Sequence, residues 1–474
     1  MLLLFFIMSA LSGLLMMLTR NRTFTKVLAV LYSLMHISLS FHAWMNLNAS
    51  ELRYFTFNST GVLLLTVLSV LALPTVYHGF VYTRNDDSRK FSIYHSALIM
   101  LMTFMSGAYL ANGMTVLWIF VEATTLAVAL LIYHDRTGIA LEATWKYVFL
   151  CSAGIALAYL GILFLGFIYG REDAANLSFS SLAVIINNAN PKYLKIAFLF
   201  VLTGFSTKMG LFPMHTAKID ATSVAPPPVG ALISTTLMNV GFLAVFRVYT
   251  LFSSSVIFSF MNNVLIISGI LSVLVSAGYM LKAKHLKRML AYSSLELMGL
   301  VAIATGVGGS GWYAALFLIV LHSFAKSSLF FQLGQLSGIL GTYKLDECGR
   351  YMKLFPSGAL VLLTGMVAIL AIPPSGLFLG EYLIFKELVL NQYWFVLIVT
   401  IILLCFIVYA MSTRFMHIIF SDPRGELPPF PARKVRNIET ISQFFLLGIV
   451  IALCFWQPPF VIELINQTIA VLPK

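Results

Sequence analysis

Long apolar stretches recur along the whole of this 474-residue chain, and they constrain its fold more than any other feature. Hydrophobic residues make up 59% of the sequence and charged residues only 10%. In a soluble domain about a quarter of the residues are charged. A helix that crosses a bilayer needs about 20 consecutive apolar residues. The sequence therefore predicts an all-α polytopic membrane protein.

The apolar stretches predict about fourteen transmembrane helices joined by short loops. They cover residues 1–19, 25–47, 58–82, 92–109, 113–133, 144–170, 193–216, 226–251, 257–280, 286–306, 311–336, 357–389, 392–420 and 438–468. Lysine and arginine concentrate in cytoplasmic loops. Loops after odd-numbered helices contain 21 of these residues, whereas the other loops and the C-terminal end contain 7. This asymmetry predicts that both termini face the outer side of the membrane.

Composition also argues against several function classes. The net charge of +12 does not indicate nucleic-acid binding, because the basic residues are scattered over short loops. The four cysteines show neither metal nor disulfide spacing, and the G-x-G-x-x-G match at 306–311 follows no predicted strand. We therefore predict no metal, no cofactor, no nucleic-acid partner and no catalytic centre of the chain's own.

Ionisable residues inside the predicted helices indicate a function. Two basic residues, Lys208 and Lys326, fall at membrane depth rather than in loops. The others at this depth are Glu122, His322 and Glu381, with Glu296 about two turns into its helix. A charge in the hydrocarbon core costs about 2.5–3.5 kcal/mol on insertion scales, so these side chains are expected to face the bundle interior. Neighbouring lysine, histidine and carboxylate groups exchange protons near neutral pH, which predicts a proton relay.

Structural roles are the alternatives for several of these residues. Glu122 and Lys208 would form a static ion pair between helices, although such pairs rarely stabilise a protein. Glu381 would cap a helix end near the surface, and Glu296 would lie at the membrane interface. A lone buried histidine is more often a satisfied core residue, but His322 shares a helical face with a lysine four residues away.

Two prolines predict broken helices. Pro213 and Pro374 each remove a backbone hydrogen bond and displace the preceding turn. The freed groups need protein or water around them inside a membrane. Residues 202–213 (LTGFSTKMGLFP) and 363–374 (LTGMVAILAIPP) share Leu-Thr-Gly and a proline at the same spacing. Helices 7 and 12 are therefore predicted to be an equivalent broken pair, which transporters commonly place at ion sites.

Several segments resemble the antiporter-like subunits of the respiratory complex I superfamily. They are STKMGLFPMHTAKIDATSVAPPPVGALIS, AYSSLELMG, LHSFAKSSLFFQLGQL and AIPPSGLFLGEYLIF. The superfamily includes complex I, Mrp-type cation/proton antiporters and membrane-bound nickel–iron hydrogenases. Within it, LKRMLAYSSLE and LMNVGFLAVFRV are most similar to the hydrogenase-4 component F branch. The resemblance covers nearly the whole chain.

The resemblance implies two inverted five-helix repeats, each with a broken helix. The implied division is 1–90 for helices 1–3, 91–251 for the first repeat (helices 4–8), 252–420 for the second repeat (helices 9–13) and 421–474 for helix 14. In the family pattern Glu122 pairs with Lys208, and His322 lies near the central Lys326. Glu381 is then the ionisable residue on broken helix 12.

The function implied is that of a proton-translocating membrane subunit in a redox-driven complex of the complex I or group 4 hydrogenase kind. Its implied partners are other membrane subunits of a redox or antiporter complex, the lipid bilayer and protons, with Na⁺ as the alternative ion. The implied location is the cytoplasmic membrane of a bacterium or archaeon. An Mrp-type Na⁺/H⁺ antiporter module and a non-conducting structural subunit are the alternatives.

Helix 8 departs from the family pattern. Many members carry a histidine or lysine on this helix, but no ionisable residue lies between Asp220 and Arg247 here. The polar residues that remain to hold water are Ser234, Thr235, Thr236 and Asn239. This departure weakens the predicted connection between Lys208 and Lys326.

Overall fold

The chain is almost entirely helical in a computed structural model, which describes residues 1–169, 178–186, 189–423 and 435–473. Lipid offers no partner to backbone N–H and C=O groups, so long apolar segments satisfy them internally as helices. Five of the basic residues counted in the predicted loops lie outside the described residues: Arg171, Arg424, Arg433, Lys434 and Lys474.

The helices before the first break are numbered in chain order. They are α1 (Leu2–Leu18), α2 (Arg22–Met45), α3 (Ser59–Tyr82), α4 (Ser88–Leu110), α5 (Met114–Ile132), α6 (Gly138–Tyr169), α7 (Phe179–Ile185) and α8 (Pro191–Met209). Two-residue strands β1 (Ser50–Glu51) and β2 (Phe55–Thr56) pair antiparallel between α2 and α3.

The remaining helices follow the first break. They are α9 (Thr216–Val224), α10 (Pro227–Ser234), α11 (Thr236–Leu251), α12 (Phe258–Leu281), α13 (Leu286–Val307), α14 (Ser310–Leu340), α15 (Tyr351–Leu354), α16 (Pro356–Ile369), α17 (Gly376–Leu390), α18 (Trp394–Phe420), α19 (Asn437–Phe455) and α20 (Pro459–Ile469).

Eleven membrane spans among the described residues are long and apolar enough to cross a bilayer, with α10 and α11 counted together as one. The other three predicted spans have a shorter form. Predicted helix 1 is the 17-residue α1, and predicted helices 7 and 12 are interrupted. The prediction of a polytopic all-α membrane protein agrees with this, and the count of fourteen remains a prediction.

Side-chain caps explain where several helices begin. Asn21 accepts hydrogen bonds from the first backbone N–H groups of α2, and Asn58 does the same for α3. Asp87 caps α4, and Asn190 caps α8, whose first residue is proline. Asn and Asp favour these positions because their oxygens satisfy N–H groups that have no partner within the helix.

The chain forms two compact units, each assembled from separated parts of the sequence. Unit 1 comprises Met1–Ala221, Thr236–Val264 and Phe460–Lys474, and unit 2 comprises Thr222–Thr235 and Leu265–Pro459. In unit 1, α4 packs against α1, α3 and α5, and α6 packs along α8. In unit 2, α14 packs against α10, α13, α16, α17 and α19. Helix α14, which carries His322 and Lys326, is therefore the central helix of unit 2.

The two predicted breaks are present. Helix α8 ends at Met209 and α9 begins at Thr216, with Pro213 between them. Helix α16 ends at Ile369 and α17 begins at Gly376, with Pro374 between them. The peptide bonds preceding these two prolines are both cis.

Two other predicted spans are discontinuous, contrary to expectation. Span 226–251 is interrupted at Thr235, whose backbone leaves the helical region between α10 and α11. Span 438–468 is divided into α19 and α20, because Pro458 and Pro459 lie at the junction and proline does not continue a helix. Helix α20 joins unit 1, where Thr468 Oγ1 donates to Ser59 Oγ over 3.0 Å.

Three basic residues predicted in loops are buried instead. Lys218 lies on α9 and is 4% exposed, and Arg247 lies on α11. Lys287 lies in the first turn of α13. The aliphatic parts of long basic side chains can be buried if each head group finds oxygen partners, so a position near a helix end does not by itself place a lysine or arginine in water.

Candidate functional site

Lys208 lies in the last turn of α8, immediately before the break. Gly210 follows it with φ +74°, and its N–H donates to Ser206 O over 2.7 Å. Glycine adopts this left-handed conformation readily and is the usual residue just past a helix end. The C-terminal end of a helix carries partial negative charge, which favours a cation in the last turn. The break therefore provides a helix terminus beside the lysine.

The Lys208 ammonium is enclosed by protein. Only 1% of the residue is exposed, and Nζ donates to Thr125 Oγ1 on α5 over 2.8 Å and to Tyr147 OH on α6 over 3.0 Å. The same atom lies 5.0 Å from the centre of the Tyr147 ring. Two hydroxyl groups and an aromatic ring therefore surround the ammonium group, which does not face lipid.

The Glu122 carboxylate completes this arrangement. Thr125 Oγ1 donates to Glu122 Oε2 over 3.3 Å, and Ser152 Oγ on α6 donates to Glu122 Oε1 over 2.9 Å. Glu122 and Thr125 are three residues apart, so they share one face of α5. We call Glu122, Thr125, Tyr147, Ser152 and Lys208 the first cluster. In it a single hydroxyl bridges the acid and the base.

Glycines bring the helices of the first cluster together. A Cβ on Gly154 of α6 would lie 2.2 Å from Thr207 Cγ2, and one on Gly204 of α8 would lie 2.5 Å from Ala158 Cβ. On α11, a Cβ on Gly241 would lie 2.2 Å from the backbone nitrogen of Met209. Small residues permit such close approach between membrane helices. The turn of α8 that carries Lys208 is therefore packed tightly on two sides.

Lys326 is the base of a second cluster, in unit 2. Its Nζ donates to Leu290 O on α13 over 2.9 Å and to Ser293 Oγ. Glu296 lies on the same helix, midway along it, and interacts electrostatically with both Lys326 and Glu381. We call Ser293, Glu296, Lys326 and Glu381 the second cluster, and His322 lies one turn before Lys326 on α14. Glu296 is 4% exposed, so protein surrounds its carboxylate.

Broken helix 12 positions Glu381. Ser375 follows Pro374, and its hydroxyl accepts from Leu377 N–H and donates to Ala368 O over 3.0 Å. Helix α17 then lies close to α14, because a Cβ on Gly380 would be 2.5 Å from Leu318 Cδ2. Glu381 is half-buried in the second turn of α17 and His322 is 1% exposed.

The part of the chain that contains both clusters matches a known family. Residues 111–407, which include both clusters, match the family described as NADH:quinone oxidoreductase/Mrp antiporter, TM. The chain belongs to this family. It is therefore an integral membrane protein with the fold of antiporter-like membrane subunits.

Individual relatives of this antiporter family are similar over most of their length. The hydrogenase-4 component F homolog of Methylacidiphilum infernorum is 31% identical over 375 residues, which are 78% of this chain and 77% of that protein. A component of the Na(+)/H(+) antiporter of Bacillus subtilis is 22% identical over 404 residues, covering 83% and 80% of the two chains.

A solved structure shares the antiporter-like fold. A chain in the structure of the membrane-bound sulfane sulfur reductase, an archaeal respiratory membrane complex, superposes with a TM-score of 0.87 at 20% identity. The superposition covers 99% of this chain and 97% of the other.

Predicted helix 8 of this antiporter-family chain has no ionisable residue and is interrupted at Thr235. Its two parts, α10 and α11, meet at Thr235, whose Oγ1 donates to Ala231 O over 2.7 Å. On the α11 side, the Thr236 carbonyl accepts from Tyr109 OH over 2.6 Å. Ser234, Thr236 and Asn239 are all fully buried. Residues 221–246, all of them described, contain no ionisable residue.

Sequence reasoning missed several polar residues around the predicted ones. Thr125, Tyr147 and Ser152 bind Glu122 or Lys208, and only Thr125 had a sequence signal, its three-residue spacing from Glu122. Lys218 was missed because the sequence predicts a loop after the break, where the structure has the short helix α9. Its Nζ lies 3.2 Å from where a Cβ on Gly210 would stand, so it packs directly against the break.

Two buried cations bind carbonyl oxygens at the ends of other helices. Arg247 donates to Tyr109 O over 2.6 Å and to Ala111 O, at the end of α4. Lys287 donates to Ala225 O over 3.0 Å. Next to it, at the start of α13, burial and the neighbouring charges of Lys287 and Arg288 lower the pKa of His285 to about 4. This histidine is therefore neutral at physiological pH, whereas the two cations bind carbonyl oxygens.

Proposed function

We propose that this chain is a proton-translocating membrane subunit of a redox-driven complex of the complex I-like or group 4 hydrogenase-like kind. The observation that carries the proposal is the hydrogen-bonded path from Lys208 through Thr125 to Glu122. The path is buried at its lysine end and half-buried at its carboxylate end. It lies beside a helix break, where freed backbone groups favour hydration.

The donor order of this path supports transfer from the lysine to the glutamate. Lys208 Nζ donates to Thr125 Oγ1, and Thr125 Oγ1 donates to Glu122 Oε2. When Nζ gives its proton to the hydroxyl oxygen, the hydroxyl gives its own proton to the carboxylate. One N–H bond and one O–H bond break, and two new O–H bonds form on Thr125 and Glu122. The product is a neutral lysine beside a neutral carboxylic acid, a state that burial favours.

The second cluster supports a corresponding role in unit 2. Lys326 is enclosed by a carbonyl and a hydroxyl oxygen, and Glu296 interacts with both Lys326 and Glu381. A carboxylate that lies between a buried ammonium and a second carboxylate can exchange a proton with either. We assign Glu122, Lys208, His322, Lys326 and Glu381 to proton translocation. Pro213, Pro374, Glu296, Ser234, Thr236 and Asn239 support them.

The proposal extends to partners and orientation. The chain assembles with other membrane subunits that supply the redox chemistry. It resides in a bacterial or archaeal cytoplasmic membrane with both termini outside, as the loop charges predict. The chain is 31% identical to the hydrogenase-4 component F homolog and 22% identical to the Na(+)/H(+) antiporter component. This difference favours a redox-driven assembly over an Mrp-type Na⁺/H⁺ module.

The test uses the intact complex in inverted membrane vesicles, with acidification followed by a fluorescent amine. Lys208→Ala and Glu122→Gln should each reduce redox-driven acidification to the level seen with a protonophore. The matched control is Lys146→Gln, on the exposed surface of α6. Co-purification of partner subunits must be unchanged in all three.

Each alternative predicts a different result in the same vesicles. An Mrp-type antiporter would require Na⁺ for proton movement and would not depend on an electron donor. A non-conducting structural subunit would leave acidification unchanged in Lys208→Ala and Glu122→Gln, and that result would reject the proposal.

A further inference from the structure

An apolar groove runs along the outside of unit 1 between α1, α4 and α5. Its volume is about 230 Å³, and its ten lining residues include Met17, Met100, Phe104, Ala127 and Leu130. Leu126 and Leu130 on α5 are 62% and 56% exposed, so this wall faces outward from the bundle. The groove lies on the face of α5 next to Glu122, because Ala123 also lines it.

The groove offers no hydrogen-bonding group to an occupant. Ser96 is its one polar lining residue, and the Ser96 hydroxyl donates to Gly13 O over 2.7 Å. This bond joins α4 to α1 and forms part of the floor, where a Cβ on Gly13 would lie 2.9 Å from Met100 Sδ. An occupant is therefore expected to be a hydrocarbon chain.

The length of the groove matches one leaflet of a membrane. Along α4 it extends from Ile93 to Phe104. At 1.5 Å of rise per residue these eleven steps span roughly 16 Å, which is about half of the 30 Å hydrocarbon core. Beyond Phe104 the helices close together, because a Cβ on Gly107 would lie 2.3 Å from the Phe120 ring.

The end of the groove at Ile93 has cationic residues. Arg89 lies one turn before Ile93 on α4, and it continues the helical face that forms the groove. Arg20 follows Met17 by three residues, and Tyr133 follows Leu130 by three. Both arginines are exposed, and their guanidinium groups bond to none of the described residues. Tyrosine and arginine at this depth are typical of the headgroup layer.

The acidic residues at this end are already occupied. Asp86 pairs with Lys90 and His134, at 3.3 and 2.8 Å. Asp87 caps α4, and Asp135 accepts from Tyr82 OH over 2.7 Å. The basic residues at this end outnumber Asp86, Asp87 and Asp135, so the mouth of the groove is positively charged; they stand at positions 20, 22, 26, 84, 89, 90 and 136.

The groove is too narrow for a helix of a neighbouring subunit. All of the space in the groove that atoms do not fill, about 610 Å³ over roughly 16 Å, gives a mean cross-section of roughly 38 Å². A helix with its side chains is about 10–12 Å wide, so its cross-section is roughly 80–110 Å². Such a helix would rest on the rim, whereas a single hydrocarbon chain would enter.

We infer that this groove binds an anionic phospholipid, with one acyl chain between α1, α4 and α5 and its phosphate group at Arg20 and Arg89. Basic sites between membrane helices recognise anionic headgroups in this way. The bound acyl chain covers the exposed wall of α5. It therefore separates the neighbouring Glu122 face of that helix from freely exchanging lipids.

The test uses the full-length chain, purified with its associated subunits in mild detergent. The probe is phosphatidylglycerol with a photoactivatable group at the end of one acyl chain, and phosphatidylcholine with the same group is the neutral comparison. After irradiation, peptide mass mapping should place the label from phosphatidylglycerol in 93–104 and 123–130. Arg20→Gln and Arg89→Gln should each reduce this labelling about fivefold.

Two further variants separate headgroup from chain recognition. Ala97→Phe fills the groove and should abolish labelling while both arginines are present. Arg53→Gln is the matched control, because Arg53 is an exposed arginine at the opposite end of these helices. Equal labelling by the neutral lipid, or no effect of the two arginine variants, would overturn the inference. So would a cross-link from the groove to a neighbouring subunit in native membranes in place of lipid.

Discussion

The Lys208 ammonium and the Glu122 carboxylate are connected through one hydroxyl group, that of Thr125. The two hydrogen bonds measure 2.8 and 3.3 Å and run in the same direction from nitrogen to carboxylate. A direct ion pair would hold the proton in one place. An intervening hydroxyl can accept and donate at once, so Thr125 determines whether the pair exchanges a proton.

Replacing this hydroxyl should interrupt proton transfer while the helices stay in place. Thr125→Val keeps the branched shape but removes the bridge, and a lost hydrogen bond to a charged group is equivalent to about 1.5–3 kcal/mol. We expect redox-driven acidification in vesicles to fall about tenfold or more. Thr125→Ser restores a hydroxyl and should retain most of the activity. Equal rates in the two variants would show that the bridge has no role.

The contact between α11 and α8 should be intolerant of a single methyl group. In Gly241→Ala the new Cβ would lie 2.2 Å from Met209 N, and backbone at that distance cannot move aside as a side chain can. We expect a loss of about 1–3 kcal/mol, measured as a lower unfolding temperature of the purified protein in detergent.

The matched control for this substitution is Gly278→Ala on α12. Nothing lies within 4 Å of a Cβ at Gly278. Alanine is favoured over glycine within a helix by about 0.5–1 kcal/mol, so this variant should be as stable as the parent or more so. A similar decrease of the unfolding temperature in both variants would mean that the packing beside Lys208 is no tighter than at Gly278.

Neighbouring serines on α13 should differ in their effect on the second cluster. Ser293 Oγ accepts from Lys326 Nζ, whereas Ser294 Oγ donates to Leu290 O over 3.3 Å. Ser293→Ala removes an oxygen partner of a buried ammonium, a change that costs about 1–3 kcal/mol. We expect slower proton transport in Ser293→Ala and near-normal transport in Ser294→Ala, both measured in the same vesicles. The reverse order would remove Ser293 from the proposed path.

Cys348, in the loop after α14, should resist thiol reagents. Burial raises the pKa of its thiol to about 12, and the charge of Glu347 adds to the effect. The thiolate is the reactive form, so at pH 8 the thiol stays protonated and reactivity appears only as the pH approaches 12. Asp346→Cys provides an exposed thiol in the same loop. Maleimide labelling at position 346 should be faster by on the order of a thousandfold. Comparable rates would contradict the burial of Cys348.

The main ionisable residues could be predicted from sequence because charge is conspicuous in an apolar helix. Lys208 and Lys326 stood out for this reason, and Pro213 and Pro374 indicated the breaks near Lys208 and Glu381. The neutral partners could not be chosen in the same way. Thr125 resembles many other threonines in membrane helices, and only the fold brings its hydroxyl to Lys208.

Other differences between the predicted and the observed structure involve features that charge, proline and glycine patterns do not reveal. The interruption at Thr235 contains no proline or glycine, and a threonine hydroxyl bonded to Ala231 O accompanies it. The sequence predicts loop positions for Lys218, Arg247 and Lys287, because a basic residue near a helix end normally reaches water. Carbonyl oxygens at the ends of other helices bind Arg247 and Lys287 instead, and such contacts depend on tertiary packing.

The contact of α20 with α3 has a consequence for biogenesis. Thr468 bonds to Ser59 and Thr60, more than four hundred positions away, and the Phe460 ring meets Trp44 edge-on at 5.1 Å. Unit 1 therefore cannot be completed until α20 has left the ribosome, although its first helices enter the bilayer at the start of synthesis. Until then, one side of those early helices lacks its packing partner in the membrane. We expect an insertase or an assembly factor to cover that side.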